Sequence, residues 1–527
     1  MKKFLKLISL STVVLIIASM MFTACNRTNK TEKTTREEES PKPTEQVEKK
    51  PEIDTTKYAR LKMYFLGNKP EDMDMVWAEI NKLLKEKINA EIEPALMSWG
   101  DWSQRYPLIF ASGEEWDMIY TANWAMYAQQ ASKGGFLELT EEMLKKYAPL
   151  TFADLPREAW TTTRVKGKNY MIPQGKRSKY GQHFGLIVRG DLREKYGLPE
   201  IKNVQDLEVF MDAVLKNEKD MVPLADVGKT NTHMLLRALF YHPNLYTEVV
   251  DGVGTLLYNY ADRSQLKTVP AYELDGFVDY MKKMIEWRKR GYWSRSALTH
   301  QGRAIDLIRE GKGAVSFGHI NNALDVYNHA REKQPNWKIE YVDLTEGRPL
   351  PSQGYLGNGS AIHAASKNPD RALMALDLLG YDPEINYLVL EGIPGVHSIN
   401  KGTNEERRIE RLKTTYSGGS YSVWGFANFV TLPINSFPTY EKLFYSYVKQ
   451  LSDHPIAGMT LDTEDIKNEI AATTQVIDSY KTIINLGFSD DAEKTLKKYI
   501  EELKAAGIEK VDAAIKAQAE VLFQQNK

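Results

Sequence analysis

Cysteine is nearly absent from this chain of 527 residues, because Cys25 is the single one. An internal disulfide is therefore excluded, and so is a metal site built from several cysteines. An excess of charge of one sign is lacking too, since 69 basic residues almost balance 70 acidic ones. That balance argues against a nucleic acid partner, which would need a strongly basic surface. The length suffices for two or three domains with sizeable cores.

Catalytic motifs are missing as well. Gly228-Lys229-Thr230 has Pro223 where a phosphate-binding loop needs its first glycine. The sequence has no His-Glu-x-x-His pattern and no Gly-x-Ser-x-Gly elbow, and its nine histidines show no metal-ligand spacing. Glu114, Glu115 and Asp117 are close in sequence, but charged residues so placed are more typical of a solvated turn than of a glycosidase pair. We expect no enzymatic activity, no metal and no cofactor.

The N-terminus has the features of an export signal. Two lysines precede an apolar run over residues 4–22, and Phe22-Thr23-Ala24-Cys25 resembles a bacterial lipobox with phenylalanine in place of the usual leucine. We expect a lipoprotein signal peptide over residues 1–24 and a lipid-carrying Cys25 that anchors the protein on the outer side of the cell membrane. The alternative is an uncleaved anchor, because the run approaches the length of a membrane-spanning helix.

The part that follows changes from a polar tether to a folded chain. Residues 25–57 are rich in Lys, Glu, Thr and Pro and almost without apolar side chains, which predicts a disordered spacer. From Tyr58 onward, strand-like runs such as 59–66 and 117–121 alternate with amphipathic helical stretches, one of which begins behind Asp72 as its N-cap. This alternation predicts an α/β fold with a mostly parallel sheet.

Four stretches of the folded part resemble the extracellular solute-binding proteins of ATP-driven (ABC) importers, in the branch of the maltose- and oligosaccharide-binding lipoproteins (family 1). These stretches are residues 117–139, 170–197, 311–318 and 361–372. The resemblance extends over the chain from about Tyr58, and the lipobox agrees with it. It implies a two-lobed α/β fold of the periplasmic-binding-protein type (type II), whose discontinuous lobes are joined by a hinge that the chain crosses repeatedly.

The same resemblance implies where the lobes begin and end. Lobe 1 would comprise residues 58–172 plus 347–395, and lobe 2 would comprise residues 173–346 plus 396–527. The crossings would lie near 170–173, near 341–355 and near Val396. Residues 402–527 would form a helical C-terminal extension of lobe 2, as in a lipoprotein subgroup. One face of its last helices indicates packing and carries Leu496, Tyr499, Ile500 and Leu503.

Three places are candidate ligand contacts. Asn123 and Trp124 follow a predicted strand at the position that lines the cleft in members of the resembled family, with a Trp that covers the core as the alternative. His319, Asn321 and Asn322 follow another strand, where such proteins often carry a stacking tryptophan. Amides and a histidine there favour hydrogen bonding, and a purely structural His319 is the alternative.

The third candidate is the aromatic, glycine-rich stretch 416–428, which contains Trp424 and Phe426. A turn around a buried tryptophan is its alternative. Weaker candidates lie after the second strand or near the expected hinge, and they are Trp99, Trp102, Tyr355, Arg177 and His183.

The function implied by the resemblance is capture of an oligosaccharide between the lobes and its delivery to the permease subunits of an importer. Flat aromatic side chains suit the apolar faces of sugar rings, and amides suit their hydroxyl groups. Three alternatives stay open: the same fold with a peptide or an acidic sugar as ligand, a surface-anchored enzyme that degrades polysaccharides, and an adhesive protein on a long tether.

Overall fold

The computed structural model describes residues 53–175, 184–225, 232–293, 295–299, 304–345, 347–352 and 354–527. The expected signal peptide, Cys25 and nearly all of the expected tether lie outside the described residues, as do Arg177, His183 and Gly228-Lys229-Thr230. No helix in the described ranges is long and apolar enough to cross a lipid bilayer.

The described strands are short, and several are completely buried. In chain order they are β1 (Ala59–Leu66), β2 (Ala90–Met97), β3 (Met118–Thr121), β4 (Ile172–Pro173), β5 (Phe184–Arg189), β6 (Val222–Leu224), β7 (Tyr246–Glu248), β8 (Leu256–Asn259), β9 (Thr268–Pro270), β10 (Gly313–His319), β11 (Ile339–Val342), β12 (Leu350–Pro351), β13 (Gly359–Ile362), β14 (Ser398–Asn400), β15 (Glu406–Arg411), β16 (Val430–Pro433) and β17 (Leu451–Ser452).

The described helices alternate with these strands until the last third of the chain, where they predominate. They are α1 (Met73–Ile88), α2 (Trp102–Ala111), α3 (Tyr127–Ser132), α4 (Glu141–Tyr147), α5 (Pro149–Asp154), α6 (Arg157–Thr162), α7 (Gly190–Lys195), α8 (Val204–Asn217), α9 (Thr232–Leu236), α10 (Phe277–Arg290), α11 (Ala304–Arg309), α12 (Ile320–Lys333), α13 (Pro369–Tyr381), α14 (Pro383–Glu391), α15 (Tyr440–Gln450), α16 (Lys467–Asn485), α17 (Ala492–Ala505) and α18 (Ile508–Asn526). A π-helix covers Arg237–Tyr241, and 3-10 helices include Gly418–Ser420 and Trp424–Phe426.

The first lobe is built on a five-stranded sheet of order β2-β1-β3-β13-β4. Strands β1, β2 and β3 run parallel, whereas β13 runs antiparallel to both β3 and β4. Helix α1 buries Met73, Val76, Trp77, Ile80, Leu84 and Ile88 against one face, at the spacing of one helical stripe. Asp72 stands at the N-cap position, but its carboxylate does not cap the helix as expected. It contacts the buried His397 instead, at 3.1 Å.

The second lobe is built on a four-stranded sheet of order β11-β5-β10-β6. Strand β10 is antiparallel to β5 and parallel to β6, so this sheet is mixed rather than mostly parallel. Separate apolar cores cover its two faces, one with Trp287 and the helices near it and the other with α11, α12 and α15. The chain passes from β4 to β5 and returns from β11 to β13. It therefore crosses between the lobes as a discontinuous, hinged fold requires.

The last crossing lies later in the chain than Val396. Tyr416, Tyr421, Val423 and Phe426 are buried in the core of the first lobe, whereas Leu432 joins a core of the second. Two hydrogen bonds explain this position. The Tyr421 hydroxyl accepts from the indole N–H of Trp77 and is hydrogen-bonded to the Tyr416 hydroxyl, which fixes this loop on α1. The expectation that residues 396–527 belong wholly to the second lobe is therefore wrong for this stretch.

The C-terminal helices extend the core of the second lobe. Helices α16, α17 and α18 pack on one another, and α17 also packs on α10. The expected packing face is confirmed, because Leu496, Tyr499 and Leu503 are buried and Ile500 is partly buried against the same core. Trp293 is likewise a packing residue, since its indole N–H donates to the carbonyl of Leu486 at 3.1 Å.

Candidate functional site

A cavity of about 1490 Å³ is lined by residues of both lobes. Its first-lobe wall contains Asn68, Trp99, Trp102, Trp124, Gly357, Asn358 and Trp424. Part of its second-lobe wall contains Phe184, His319, Asn321 and Asn322. Ligand pockets commonly measure roughly 300–1,000 Å³, so this one has room for more than a single small molecule.

The first-lobe wall is dominated by four tryptophans of an aromatic cluster. We define this cluster as Trp99, Trp102, Trp124, Trp424 and the buried Tyr120, which packs against Trp124 and Trp424. The Trp99 and Trp424 rings are nearly parallel, with an interplanar angle of 7° and centroids 6.0 Å apart. Trp124 lies 6.1 Å from Trp99 and meets Trp102 edge-on at 5.7 Å. All four indoles remain partly exposed at the cavity. The wall thus presents flat apolar surface to whatever enters.

Strand topology explains why these tryptophans meet. Trp99 follows β2 and Trp124 follows β3, and both strands run parallel to β1, so their carboxyl ends lie at one edge of the sheet. Ligands bind beyond this edge in open α/β sheets. Met126, at a φ of 60°, makes the tight turn that separates Trp124 from α3.

The aromatic cluster is held by Asn358, a residue that the sequence analysis missed. Its amide oxygen accepts hydrogen bonds from Tyr120 Oη at 2.5 Å and from Trp424 Nε1 at 2.6 Å. Its amide nitrogen donates to Gln174 Oε1 at 2.7 Å. Asn358 therefore connects β3, the segment after β4 and the loop that carries Trp424. The sequence Gly-Asn-Gly at 357–359 indicates a turn and gives no signal of a buried amide.

The second-lobe wall is polar. His319 caps α12, where its Nδ1 accepts from the backbone N–H of Asn322 at 3.3 Å, and the Asn322 side chain accepts from the His319 backbone at 3.2 Å. An accepting Nδ1 requires a neutral ring, and burial lowers the pKa of His319 to about 4. Asn321 accepts from Tyr440 Oη at 3.0 Å. His319 is thus a structural residue that also lines the cavity, and its role as a ligand contact stays a prediction.

The lowered pKa of His319 predicts a loss of stability in acid. The unfolded ring takes up its proton near pH 6.5 and the folded ring near 4. The contribution of the neutral His319 ring to the free energy of unfolding is therefore fully present above pH 6.5 and is lost as the pH drops toward 4. We expect this loss to be about 2 kcal/mol after allowance for the partial exposure of the ring. Urea unfolding at pH 7.5 and 4.5 would measure this, with His319→Asn as a variant that caps the helix without titrating. An equal loss in both proteins would contradict the prediction.

Two arginines on the wall of the cavity form ion pairs. Arg411 Nη2 lies 2.6 Å from a carboxylate oxygen of Glu391, and Arg309 is paired with Asp325. Among the residues that the structure describes, no group of three or more His, Cys, Asp or Glu side chains is placed to hold a metal ion.

Of the remaining candidates, the three that the structure describes are not among the residues that line the cavity. Asn123 is partly buried beside it, with an amide oxygen that has no partner in the described chain, and its backbone N–H donates to the Leu356 carbonyl. Phe426 is buried in the first core, where it supports the loop of Trp424, and Tyr355 packs against the same core. Arg177 and His183 lie outside the described residues.

Two hinged lobes around such a cavity define a class of proteins that bind a solute between their lobes. The model of the bacterial extracellular solute-binding proteins matches residues 68–381, and the chain belongs to this family. A second model, a domain of unknown function (DUF3502), matches residues 455–522.

The similarity to known proteins covers most of the chain. A carbohydrate ABC transporter substrate-binding protein of Streptococcus pneumoniae serotype 4 is 26% identical over 452 residues, which cover 85% of this chain and 87% of the relative. Among solved structures, the N-glycan transport solute binding protein NgtS of Streptococcus pneumoniae in complex with Man1GlcNAc has a TM-score of 0.70 at 22% identity, covering 88% of this chain and all of that one. The alginate-binding protein AlgQ2 has a TM-score of 0.63 at 18% identity, covering 88% and 98%. These relatives are binding proteins, and their likeness supports the two-lobed fold.

Proposed function

We propose that this protein is the lipid-anchored receptor of an ABC importer, which binds a neutral oligosaccharide between its lobes and delivers it unaltered to the permease. The aromatic cluster facing the amide-rich helix start at His319 is the observation that carries the proposal. The relatives support it: one is a carbohydrate ABC transporter substrate-binding protein, and NgtS has been crystallised with Man1GlcNAc and Man5GlcNAc. The anchor would be a diacylglycerol thioether on Cys25, with the membrane as a further partner.

The aromatic cluster would bind the apolar faces of the sugar rings. Sugar rings carry C–H groups on both faces, and a tryptophan ring buries a large area against such a surface at little entropic cost. Trp99 and Trp424 offer two nearly parallel faces to a chain of rings. Because Arg411 is paired with Glu391 and Arg309 with Asp325, neither arginine requires a charged group of the ligand as its partner.

The second-lobe wall would bind hydroxyl groups. His319 Nε2 and Asn321 Nδ2 make no hydrogen bond to another group of the described chain, while their other polar atoms are occupied. Both are therefore available as donors to a ligand. A ligand that contacts both walls makes all its contacts only when the lobes are closed. Its binding would shift the population toward the closed form, in which the permease would recognise it.

A neutral oligosaccharide is expected to raise the melting temperature of the folded protein, because it binds the native state alone. At a concentration of 100 times Kd, the free energy of unfolding rises by about 2.7 kcal/mol. A thermal-shift screen would compare Man1GlcNAc, Man5GlcNAc, maltooligosaccharides, alginate oligosaccharides and peptides. Shifts with alginate or peptides alone would overturn the proposal of a neutral sugar in favour of the acidic-sugar or peptide alternative.

A further inference from the structure

The same cavity extends away from the aromatic cluster into the second lobe. We define this part as the second-lobe chamber, lined by Arg237, Tyr241, Glu248, Asp251, Lys481 and Tyr499. One side comes from the π-helix and the segment after β7. The other side comes from α16 and α17, both within residues 455–522, which match the domain of unknown function. The C-terminal extension thus forms a wall of the cavity as well as packing against the core.

The arginine of the chamber is paired with two carboxylates. Arg237 Nε lies 3.0 Å from Glu248 Oε1, and its Nη2 lies 2.5 Å from Asp251 Oδ1. Each carboxylate keeps lone pairs that a donor such as a hydroxyl group can still use. This ion pair is therefore a fixed acceptor surface rather than a free positive charge.

Lys481 stands opposite without such a partner. In the described chain no carboxylate oxygen lies within 4.0 Å of its ammonium group, although Asp478, Asp251 and Glu248 are near enough to interact. Burial lowers the pKa of Lys481 in spite of these carboxylates. A partly buried ammonium without a hydrogen-bond acceptor gains free energy when a ligand supplies one.

Neutral donors complete the chamber. The hydroxyl groups of Tyr241 and Tyr499 make no hydrogen bond with described residues, although both rings are largely buried. Asn485 lines the chamber too, and its amide oxygen accepts from Tyr280 Oη at 3.2 Å, which leaves its NH₂ group for another acceptor. The chamber therefore combines hydrogen-bond acceptors with hydrogen-bond donors.

Charge decides which ligand suits this arrangement. The carboxylates of Glu248 and Asp251 balance the cations of Arg237 and Lys481, and Asp478 and His233 lie on the wall of the same cavity, so the chamber has no excess of positive charge that would favour an acidic group. A neutral group rich in hydroxyls would donate to the carboxylates and accept from the ammonium, amide and phenol groups.

We propose that the second-lobe chamber is an accessory subsite for the far end of a long neutral oligosaccharide, with half of its wall supplied by the C-terminal segment 455–522. This inference rests on the proposed function, because the near end of the ligand must lie on the aromatic cluster. The size of the cavity agrees, since about 1490 Å³ exceeds what a disaccharide needs. A long ligand would thus contact the second-lobe chamber, whereas a short ligand on the aromatic cluster would not reach it.

The test is calorimetric titration of Lys481→Met and Tyr499→Phe with Man1GlcNAc and Man5GlcNAc. Each substitution should weaken Man5GlcNAc binding about tenfold, because it removes a donor to the far end, while Man1GlcNAc binding changes less than twofold. Lys497→Met is the matched control, since it removes an exposed lysine of α17 outside the cavity and should change neither affinity. Tyr499→Phe keeps the packing of the ring, so it serves if Lys481→Met is unstable.

The outcomes separate this inference from the proposed function. Equal weakening of both ligands, or of neither, overturns the accessory subsite while the proposed function stands. Binding of an alginate oligosaccharide as tight as that of Man5GlcNAc overturns the charge argument. If the wild-type protein binds neither mannose ligand nor any other neutral oligosaccharide of the thermal-shift screen, the proposed function fails and the subsite falls with it.

Discussion

Replacing both Trp99 and Trp424 with alanine is expected to weaken the binding of a neutral oligosaccharide by about 3 kcal/mol, or roughly a hundredfold in Kd. The two indoles are the most nearly parallel pair of the aromatic cluster, and both are partly exposed at the cavity. Their removal deletes apolar area on which sugar rings would be buried. Calorimetric titration with the oligosaccharide that gives the largest thermal shift would measure the loss.

The control is Trp337→Ala, which deletes a partly exposed tryptophan outside the cavity. Trp337 packs under the guanidinium of Arg189, 3.5 Å from the ring centroid, so its loss costs a similar packing contact without touching the ligand. Each single variant should lose about half of the free energy that the double variant loses. If the double variant binds as the control does, the aromatic cluster has no role in sugar binding.

Part of the aromatic cluster could be located from the sequence, and part could not. The rule that ligands bind at the carboxyl ends of parallel strands located Trp124, and it also pointed to Trp99 and Trp102. It could not show that Trp424, some three hundred residues later, reaches the same edge. That contact depends on Tyr421 and Tyr416, which dock the loop on α1 through buried hydroxyl groups, and no local pattern reports such a pairing.

The prediction of the last crossing near Val396 was wrong for the same physical reason. Stretch 416–428 looks like a surface loop because it is rich in glycine and serine, yet Tyr416, Tyr421, Val423 and Phe426 are buried in the first lobe. Periodicity identifies amphipathic helices such as α1, where the buried positions recur every three or four residues. Irregular segments carry no such period, so the lobe that receives them is decided by tertiary contacts alone.

Buried polar contacts were the hardest to predict. Asp72 has the sequence context of a helix cap, but in the fold a buried imidazole competes for its carboxylate. His319 lacks that context and does cap α12, together with Asn322. In each case the side chain forms a hydrogen bond with a group that would otherwise lack one inside the fold. That group can be identified only from the fold.

Substitution of Asn358 by leucine is expected to lower the free energy of unfolding by about 4 kcal/mol. Leucine has a similar volume but leaves three polar groups without their partner: the hydroxyl of Tyr120, the indole N–H of Trp424 and the amide oxygen of Gln174. A buried group that loses its hydrogen bond costs about 1–3 kcal/mol, and Trp424 can recover part of its own through Tyr120 Oη at 3.4 Å. Urea unfolding would measure the change.

The same substitution should weaken oligosaccharide binding about tenfold in protein that remains folded, because the indole of Trp424 loses the contact that fixes its orientation toward Trp99. Asn217→Leu is the control, since Asn217 bonds only the neighbouring Ala213 carbonyl on the exposed end of α8 among described groups. A variant at Asn358 that is destabilised but binds normally would mean that stacking alone orients Trp424. A variant that is neither destabilised nor weakened would show that the three polar groups find other partners, and the Asn358 contacts would then be dispensable to both lobe and site.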